Sequence, residues 1–347
     1  DAHVHFLRGA IALLNVVLTD VKTLAEAKAK IAEKAKTVKP GEWITGRGWD
    51  HTLWGGKFPT KTDLDAVAPN NPVYLVRGDG HVGWANTAAW KSAGIDKNTP
   101  NPNGGEIERD ASGEATGIMK ETAQGLVGRF VPPATPEQQI KGLELALDMA
   151  RKYGITSVHD ISGYDATKLY RQFLQQDKLT VRITEMQTFD DSIETLKKQR
   201  AEFATFKDNP SRLKLGALKG YIDGTLGSKT AAMLAPFSDD PNNSGIPRRT
   251  PEELTKMIVE RDKEGFQLAL HAIGDKANRM ALDGFAEAIR AKPIEKIETK
   301  MVNGLKTTNH FKVFYDMRHR IEHAQVVNPS DFKRFAELGI IASMQPT

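Results

Sequence analysis

Residues 250–271, TPEELTKMIVERDKEGFQLALH, contain one complete helix-to-strand unit of this 347-residue chain. Thr250 and Glu253 are spaced as a capping box, with a proline between them that suits the first position of a helix. Gly265 is typical of a helix end, and the apolar run after it predicts a buried strand that closes on His271. A helix followed by a short buried strand is the repeating unit of parallel sheets.

The same unit occurs twice more, and a further helix is predicted over about 191–206. One copy begins at Thr135 and has its helix end near Gly154. The other begins at Asn328 and has its helix end near Gly339. Short apolar runs between the predicted helices indicate buried strands at seven places: His3, Thr156, Ile183, Leu215, Leu268, Ile321 and Ile341.

Alternating helices and strands predict an α/β fold, and we expect a TIM-like (β/α)8 barrel. A closed barrel of this kind needs an eighth strand, which we expect just beyond Thr347. The chain opens on Asp1 rather than Met and ends on a strand-like run, so we expect a piece that lacks both termini. An open doubly wound sheet is the alternative, although no glycine-rich nucleotide loop follows the first strand.

The stretch between the first two predicted strands departs from the repeat. It contains a predicted helix from about Thr23 to Lys36, followed by a long segment rich in Gly, Pro, Asn and Trp. We therefore predict a barrel made of residues 1–39 and 134–347. Residues 40–133 would form a large insertion after strand 1, packed over the barrel mouth.

Composition excludes several classes of protein. Hydrophobic residues make up 39% and charged residues 27%, so a large core is available. The net charge of +4 is spread along the chain without a basic block, and no apolar run reaches membrane-spanning length. The absence of cysteine excludes disulfides and cysteine-ligated zinc. We expect a small-molecule substrate, with neither nucleic acid nor membrane as partner; a homodimer and the compartment are left open.

The most informative of the nine histidines lie at strand ends. His3 and His5 are two residues apart, so on a strand their imidazoles point to the same side. His271 and His323 each close a predicted strand, and active sites of (β/α) barrels form at the carboxyl ends of strands. Because imidazole is a common ligand for zinc and related metals, these four residues predict a metal site.

Lys219 is the fifth candidate ligand. It ends a predicted strand, and on a regular strand Lys214 would face the opposite way. A buried ammonium is costly, and carboxylation by CO2 would turn Lys219 into an anionic ligand able to bridge two metals. The alternative is that Lys219 pairs with Asp223 or lies in solvent.

Weaker candidates lie elsewhere in the chain. His81, Asp50 and Trp84 are expected to contact substrate at the barrel mouth, against the alternatives of a structural turn residue or a core tryptophan. His159 and Asp160, at another strand end, are weaker candidates for supporting the ligands from behind, and a role outside the site is the alternative. We expect His310 and His319 to lie at the surface.

Four motifs occur in the order seen in the amidohydrolase superfamily: Asp1-Ala-His-Val-His5, Lys219 with Asp223-Gly224, His271-Ala-Ile-Gly-Asp275 and Arg320-Ile-Glu-His323-Ala-Gln325. Three motifs in the predicted insertion strengthen the likeness: Gly46-Arg-Gly-Trp-Asp50, Asp79-Gly-His-Val-Gly-Trp-Ala-Asn86 and Gly104-Gly-Glu-Ile-Glu-Arg109. Over nearly its whole length the chain resembles the amidohydrolase-3 branch, the YtcJ-like hydrolases that include N-substituted formamide deformylase.

The resemblance implies a binuclear metal centre. His3 and His5 would ligate one divalent ion, His271 and His323 a second, and carboxylated Lys219 would bridge them. One or two ions are expected, with zinc as the default. The family's catalytic aspartate is expected beyond Thr347, so the catalytic base has no residue number here, and the terminal β-sandwich of the family is missing as well.

The implied reaction is hydrolysis of a non-peptide amide-type C–N bond by attack of a metal-bound hydroxide. Two alternatives stay open. One is a mononuclear deaminase of the same superfamily, in which Lys219 has no bridging role. The other is a non-catalytic barrel that binds a metal or a ligand.

Overall fold

The computed structural model describes the backbone of residues 1–78, 80–102, 105–205, 211–227, 229–291, 295–302, 305–312 and 317–345. The chain forms two compact units. The N-terminal unit is Leu7–Asp148, and the half-barrel unit is Asp1–Phe6 with Met149–Thr347. The predicted limits of the inserted subdomain, 40–133, stay a prediction.

The N-terminal unit is built on a mixed sheet in the order β1-β2-β3-β4-β6-β5. The first three strands are parallel, and the remaining neighbours are antiparallel. Its helices are α1 Phe6–Leu13, α2 Leu24–Ala35, α3 Lys61–Asp65, α4 Thr87–Ser92, α5 Gln124–Gly128 and α6 Pro136–Lys152; the first begins one residue before the unit and the last ends past it. Its strands are β1 Val16–Val17, β2 Ile44–Trp49, β3 Val73–Arg77, β4 Val82–Ala85, β5 Gly105–Arg109 and β6 Ala115–Glu121.

The half-barrel unit contains six parallel strands in strict chain order, β7 to β10 followed by β13 and β14. These strands are β7 Ser157–Asp160, β8 Arg182–Thr188, β9 Leu213–Tyr221, β10 Leu268–Ala272, β13 Arg320–His323 and β14 Ile341–Ser343. The helices are α7 Tyr164–Gln175, α8 Ile193–Ala204, α9 Pro251–Lys263, α10 Asp275–Arg290 and α11 Phe332–Glu337. An antiparallel hairpin, β11 Glu295–Val302 and β12 Leu305–Lys312, precedes β13.

A parallel bridge between Val4 and Asp160 brings the N-terminal segment beside β7. All seven predicted strand positions therefore lie in or beside this curled sheet, which confirms the α/β prediction. The strand order does not reverse in the described residues, whereas a doubly wound sheet requires a reversal. Closure by an eighth strand stays a prediction, because the sheet described is half a barrel.

The predicted helix starts are also observed. Thr135 and Gln138 exchange side-chain hydrogen bonds with each other's backbone amides, and Thr250 and Glu253 form the same reciprocal box. Gly265 has a φ of 76°, in the left-handed region that suits glycine at a helix end. Within the described residues, no helix is long and apolar enough to cross a membrane.

The expected alternation along β9 is wrong. Lys214 pairs with Thr184 and Lys219 with Thr188, and the register shifts between these two pairs. β9 holds one extra residue there, and a bulge of this kind reverses the face of every side chain beyond it. The two lysines therefore share one face of the sheet, Lys214 exposed at the start of β9 and Lys219 buried near its end.

The predicted surface position of His319 is wrong as well. His319 is 5% exposed, its Nδ1 accepts the Leu268 amide hydrogen at 3.0 Å, and its Nε2 lies 3.1 Å from Asp262 Oδ1. Its ring stacks on Phe285 at 4.9 Å between centroids. His319 thus joins the starts of β10 and β13 to the end of α9. The side chain of His310 lies outside the described residues.

Candidate metal centre

Four histidines meet at one end of the half-barrel sheet. The ring centroids of His3 and His323 are 5.0 Å apart, and those of His271 and His323 are 4.6 Å apart. His5 lies next to this group, with its ring 6.2 Å from that of His3. The structure therefore brings together the four residues that sequence reasoning selected, at the carboxyl ends of strands where barrel active sites form.

Lys219 extends into the same group. Its side chain is buried, and its Nζ lies 3.4 Å from His3 Nε2. Burial lowers the pKa of Lys219 to about 8, although the negative charge of Glu322 opposes this shift. The alternative of pairing with Asp223 finds no support, because the Asp223 carboxylate accepts hydrogen bonds from three backbone amides instead.

Glu322 contacts the histidine cluster, and sequence reasoning did not single it out as a site residue. It is fully buried, and its Oε2 lies 2.5 Å from His3 Nδ1. Arg320 donates hydrogen bonds to both oxygens of the same carboxylate. Burial acts to raise the pKa of Glu322, but the hydrogen bonds from His3 and Arg320 outweigh it and lower the pKa to about 2. A carboxylate held in this way behind a histidine fixes the tautomer and direction of the ring.

The sequence carried a signal for this network. Arg320 and Glu322 are two apart on a predicted buried strand, so they share one face, and charged side chains are rarely buried unless they are paired. Arg320 also donates to the Ala2 carbonyl oxygen, at 2.7 Å, and thereby ties the segment that carries His3 to β13.

His271 is oriented by the loop after β9. Its Nε2 lies 3.0 Å from the Gly224 carbonyl oxygen, which can only accept, so Nε2 donates and Nδ1 is left with a lone pair. The buried Asp223 carboxylate holds the loop by accepting the amide hydrogens of Ala232, Ile273 and Gly274. Burial lowers the pKa of His271 and raises that of Asp223.

His323 ends β13 in an unusual backbone conformation. Its φ is 73°, and that of Ala324 is 41°, both in the left-handed region that non-glycine residues rarely adopt. Such conformations are concentrated at functional sites, where the surrounding structure holds them. Burial, together with the positive charges of neighbouring groups, lowers the pKa of His323 to about 4. The imidazole is therefore neutral near pH 7, as a metal ligand must be.

His159 and Asp160 support their neighbours from two sides. His159 Nδ1 lies 3.0 Å from Arg320 Nη1, so His159 contacts the network behind His3. Asp160 is buried and accepts the amide hydrogen of Phe6 at 2.6 Å, which anchors the chain immediately after His5. A role for either residue in the proposed site stays a prediction.

The three predicted substrate contacts lie in the N-terminal unit. Asp50 pairs with Arg77 at 3.0 Å, and His81 pairs with Glu121 at 3.0 Å. Trp84 is fully buried, and its indole nitrogen donates to the Thr60 carbonyl oxygen. This position favours a packing role for Trp84 over contact with substrate.

The donor set suits a divalent metal in its chemistry. His3 and His271 each have one ring nitrogen engaged by a fixed partner, which leaves the other available. Among the residues that the structure describes, no three His, Asp or Glu side chains converge tightly enough to hold an ion as they stand. The case for a divalent metal therefore rests on the distances between the histidine rings and on the hydrogen-bond partners that fix His3 and His271.

Comparison with known proteins agrees with this chemistry. A model described as the amidohydrolase family matches residues 1–347. The chain is 34% identical over 360 residues to Protein LONG AFTER FAR-RED 3 of Arabidopsis thaliana, covering 100% of this chain and 57% of that protein. It is 30% identical over 356 residues to the putative amidohydrolase YtcJ of Bacillus subtilis (strain 168), covering 100% and 61%. It is 28% identical over 350 residues to N-substituted formamide deformylase of Arthrobacter pascens, covering 98% and 60%.

Solved structures give the same result. An uncharacterized metal-dependent hydrolase from Pyrococcus horikoshii OT3 superimposes with a TM-score of 0.70 at 26% identity, covering 98% of this chain and 60% of that one. A second such hydrolase, from Pyrococcus furiosus, has the same TM-score and identity and is covered to 62%. The chain thus spans about three fifths of the length of the proteins it matches.

Proposed function

The chain belongs to the amidohydrolase family, and from this premise we propose that it is a metal-dependent hydrolase of an amide-type C–N bond in a small, non-peptide substrate. Two comparisons support the reaction class: YtcJ is described as a putative amidohydrolase, and the Pyrococcus proteins are described as uncharacterized metal-dependent hydrolases. The name N-substituted formamide deformylase makes N-substituted formamides the first substrates to test.

One observation carries the proposal. Lys219 is 4% exposed, and its Nζ lies 3.4 Å from the imidazole of His3. Lys219, His271 and His323 all lie at or near the ends of adjacent parallel strands, β9, β10 and β13. Burial of an ammonium beside imidazoles is costly, and carboxylation of Lys219 to an anionic ligand would remove that cost.

In the proposed centre, His3 and His5 would hold one divalent ion, and His271 and His323 would hold a second. Carboxylated Lys219 would complete the set of ligands. The lowered pKa of Lys219 increases the fraction of neutral amine, which is the form that reacts with CO2. When bound, divalent ions supply a Lewis acid for the substrate carbonyl and lower the pKa of a water molecule; zinc is the default ion.

The remaining residues act through the ligands. Glu322 directs the Nε2 of His3 toward Lys219, and Arg320 balances the charge of Glu322. The Gly224 carbonyl fixes the tautomer of His271. That His81 and Asp50 contact substrate stays a prediction from the sequence.

Metal content of the full-length protein, purified without added metal or chelator, tests the proposal. We expect about two divalent ions per chain by inductively coupled plasma mass spectrometry. Lys219→Ala is expected to lose at least one of them, together with hydrolysis of N-benzylformamide. Lys214→Ala is the matched control, because Lys214 lies on the same strand and face but is exposed.

A different number of bound ions would contradict all or part of the proposal. About one ion per chain, unchanged in Lys219→Ala, would favour the mononuclear deaminase. No bound ion after dialysis against zinc or manganese would mean that the histidines only pack together, and it would contradict the proposal.

A further inference from the structure

Tyr221, the last residue of β9, connects the candidate metal centre to a positive charge at the surface of the half-barrel unit. Its ring lies 5.3 Å from that of His271, the residue opposite it on β10. The Lys219 Nζ lies 5.0 Å from the centroid of the Tyr221 ring, and the Arg248 Cζ lies 5.2 Å from it. The guanidinium of Arg248 therefore lies over an aromatic ring whose other neighbour is His271.

Arg248 differs from the arginine next to it in how its charge is used. Arg249 donates to Asp190 at 2.6 Å and to the Tyr221 carbonyl oxygen, so its charge is neutralised and its position is structural. The backbone of Arg248 is anchored by a hydrogen bond from its amide to the Ile222 carbonyl oxygen, at 2.7 Å. Its guanidinium is exposed and, among the residues the structure describes, has no carboxylate partner.

Two carboxylates beside the candidate metal centre, those of Asp223 and Glu322, already have partners among the described residues. The Asp223 carboxylate is buried and accepts three backbone amide hydrogens, and Glu322 is bound by Arg320 and His3.

We propose that Arg248 is a specificity-determining residue that binds a carboxylate of the substrate, so that the preferred substrates are N-acyl compounds carrying a carboxylate near the scissile amide. A guanidinium recognises a carboxylate through two parallel N–H donors, and a ring against its face fixes the plane of the fork. The inference rests on the proposed hydrolase function, because it assigns the substrate class of the same site.

Ligand binding tests the inference independently of turnover. Isothermal titration calorimetry of the full-length protein compares 3-phenylpropanoate with 3-phenylpropan-1-ol, which has the same apolar body and no charge. We expect the wild-type protein to bind the carboxylate at least tenfold more tightly than the alcohol. Arg248→Gln should weaken carboxylate binding by about ten- to a hundredfold and leave alcohol binding within about threefold, as removal of a charge-assisted hydrogen-bonding pair predicts.

Two further variants complete the test. Arg248→Lys retains the charge without the planar fork and should recover only part of the lost affinity. Arg290→Gln removes one positive charge from the exposed face of α10, where Arg290 pairs with Glu287, and should leave both affinities unchanged. Carboxylate affinity unchanged in Arg248→Gln, or a wild-type protein that does not distinguish the two ligands, would overturn the inference.

Hydrolysis separates this inference from the proposed function. N-formylphenylalanine and N-(2-phenylethyl)formamide differ only in the carboxylate. If both are hydrolysed, Arg248→Gln should lower kcat/KM for the acid alone. If neither is hydrolysed while carboxylate binding still depends on Arg248, the proposed reaction fails and the binding site stands.

Discussion

The carboxylate of Glu322 lies between a cation and a histidine, and these two contacts have different consequences. Arg320 keeps Glu322 ionised inside the sheet, because an unpaired buried charge would be strongly unfavourable. His3 receives from Glu322 a fixed ring direction, with its second nitrogen toward Lys219. The contact with Arg320 therefore affects the stability of the buried carboxylate, whereas the contact with His3 affects the direction of a proposed metal ligand.

We expect Glu322→Gln to weaken metal binding by about ten- to a hundredfold, the usual effect of removing a carboxylate behind a ligating histidine. Affinity is measured by competition with a chromophoric chelator, on protein shown to be folded by circular dichroism. Glu185→Gln is the matched control, since it removes a buried carboxylate from β8 that contacts none of the four histidines. Equal metal affinity in the two variants would exclude a positioning role for Glu322.

Glu185 itself predicts a pH dependence of stability. Burial, with the adjacent charge of Asp160, raises its pKa well above the ordinary value of 4.5. The folded chain therefore binds this proton more tightly than the unfolded chain does, so the contribution to stability is complete below pH 4.5 and is lost as the pH rises toward the folded pKa. Glu185→Gln mimics the protonated form and should be more stable than wild type at pH 7, with the difference vanishing near pH 4.

Urea unfolding at several pH values measures this difference on metal-free protein, so that metal binding does not contribute. Each unit of pKa shift corresponds to about 1.4 kcal/mol of unfolding free energy. A constant difference between the two proteins across the pH range would show that folding does not raise the pKa of Glu185.

The helices and strands were predicted well where their signals are local. Capping boxes at Thr135 and Thr250 and a glycine in the left-handed region near each helix end depend on a few adjacent residues. The bulge in β9 could not be predicted in this way, because it is a register between β8 and β9 and leaves no mark on either strand alone. For the β11–β12 hairpin, a signal was available in the Asn-Gly pair at 303–304, which favours a two-residue turn.

The histidines show the same division between local and tertiary information. Strand ends selected His271 and His323 correctly as residues of one cluster. For His319, the environment is set by Asp262, which is 57 residues away on α9, so its burial could not be deduced from neighbouring positions. The Arg320 and Glu322 pairing required knowledge of which face of β13 is turned toward His3.

His319→Phe should destabilise the half-barrel unit by about 2–4 kcal/mol, because it removes the hydrogen-bond acceptor of the Leu268 amide and the imidazole beside the buried Asp262 carboxylate. The double variant His319→Phe with Asp262→Asn should lose less unfolding free energy than the sum of the losses in the two single variants. The reason is that the second change removes the buried charge that the first change exposes to an apolar partner. Denaturant unfolding of all four proteins gives this double-mutant cycle. Simple additivity would mean that the His319–Asp262 contact contributes nothing to stability.

Across the whole chain, the candidate metal centre depends on one unit. The residues proposed to hold the ions, at positions 3, 5, 219, 271 and 323, all belong to Asp1–Phe6 and Met149–Thr347. His3 and His5 are separated from the other three by more than 200 residues of sequence, so an ion that joins them closes a very long loop. Binding energy at such a site is also folding energy for the elements it connects.

Removal of metal should therefore loosen the half-barrel unit selectively. A ligand at a thousandfold its dissociation constant stabilises the folded state by about 4 kcal/mol, and that contribution is lost on dialysis against 1,10-phenanthroline. Hydrogen exchange followed by mass spectrometry should show faster exchange in residues 1–6 and at the carboxyl ends of β9, β10 and β13, with β2 and β3 unchanged.

The untreated Lys219→Ala protein should already exchange like metal-free wild type, while Lys214→Ala should respond to the chelator as wild type does. Equal loss of protection in β2 and β3 would point to a general effect of the chelator, and no loss at the strand ends would mean that the histidines bind no ion.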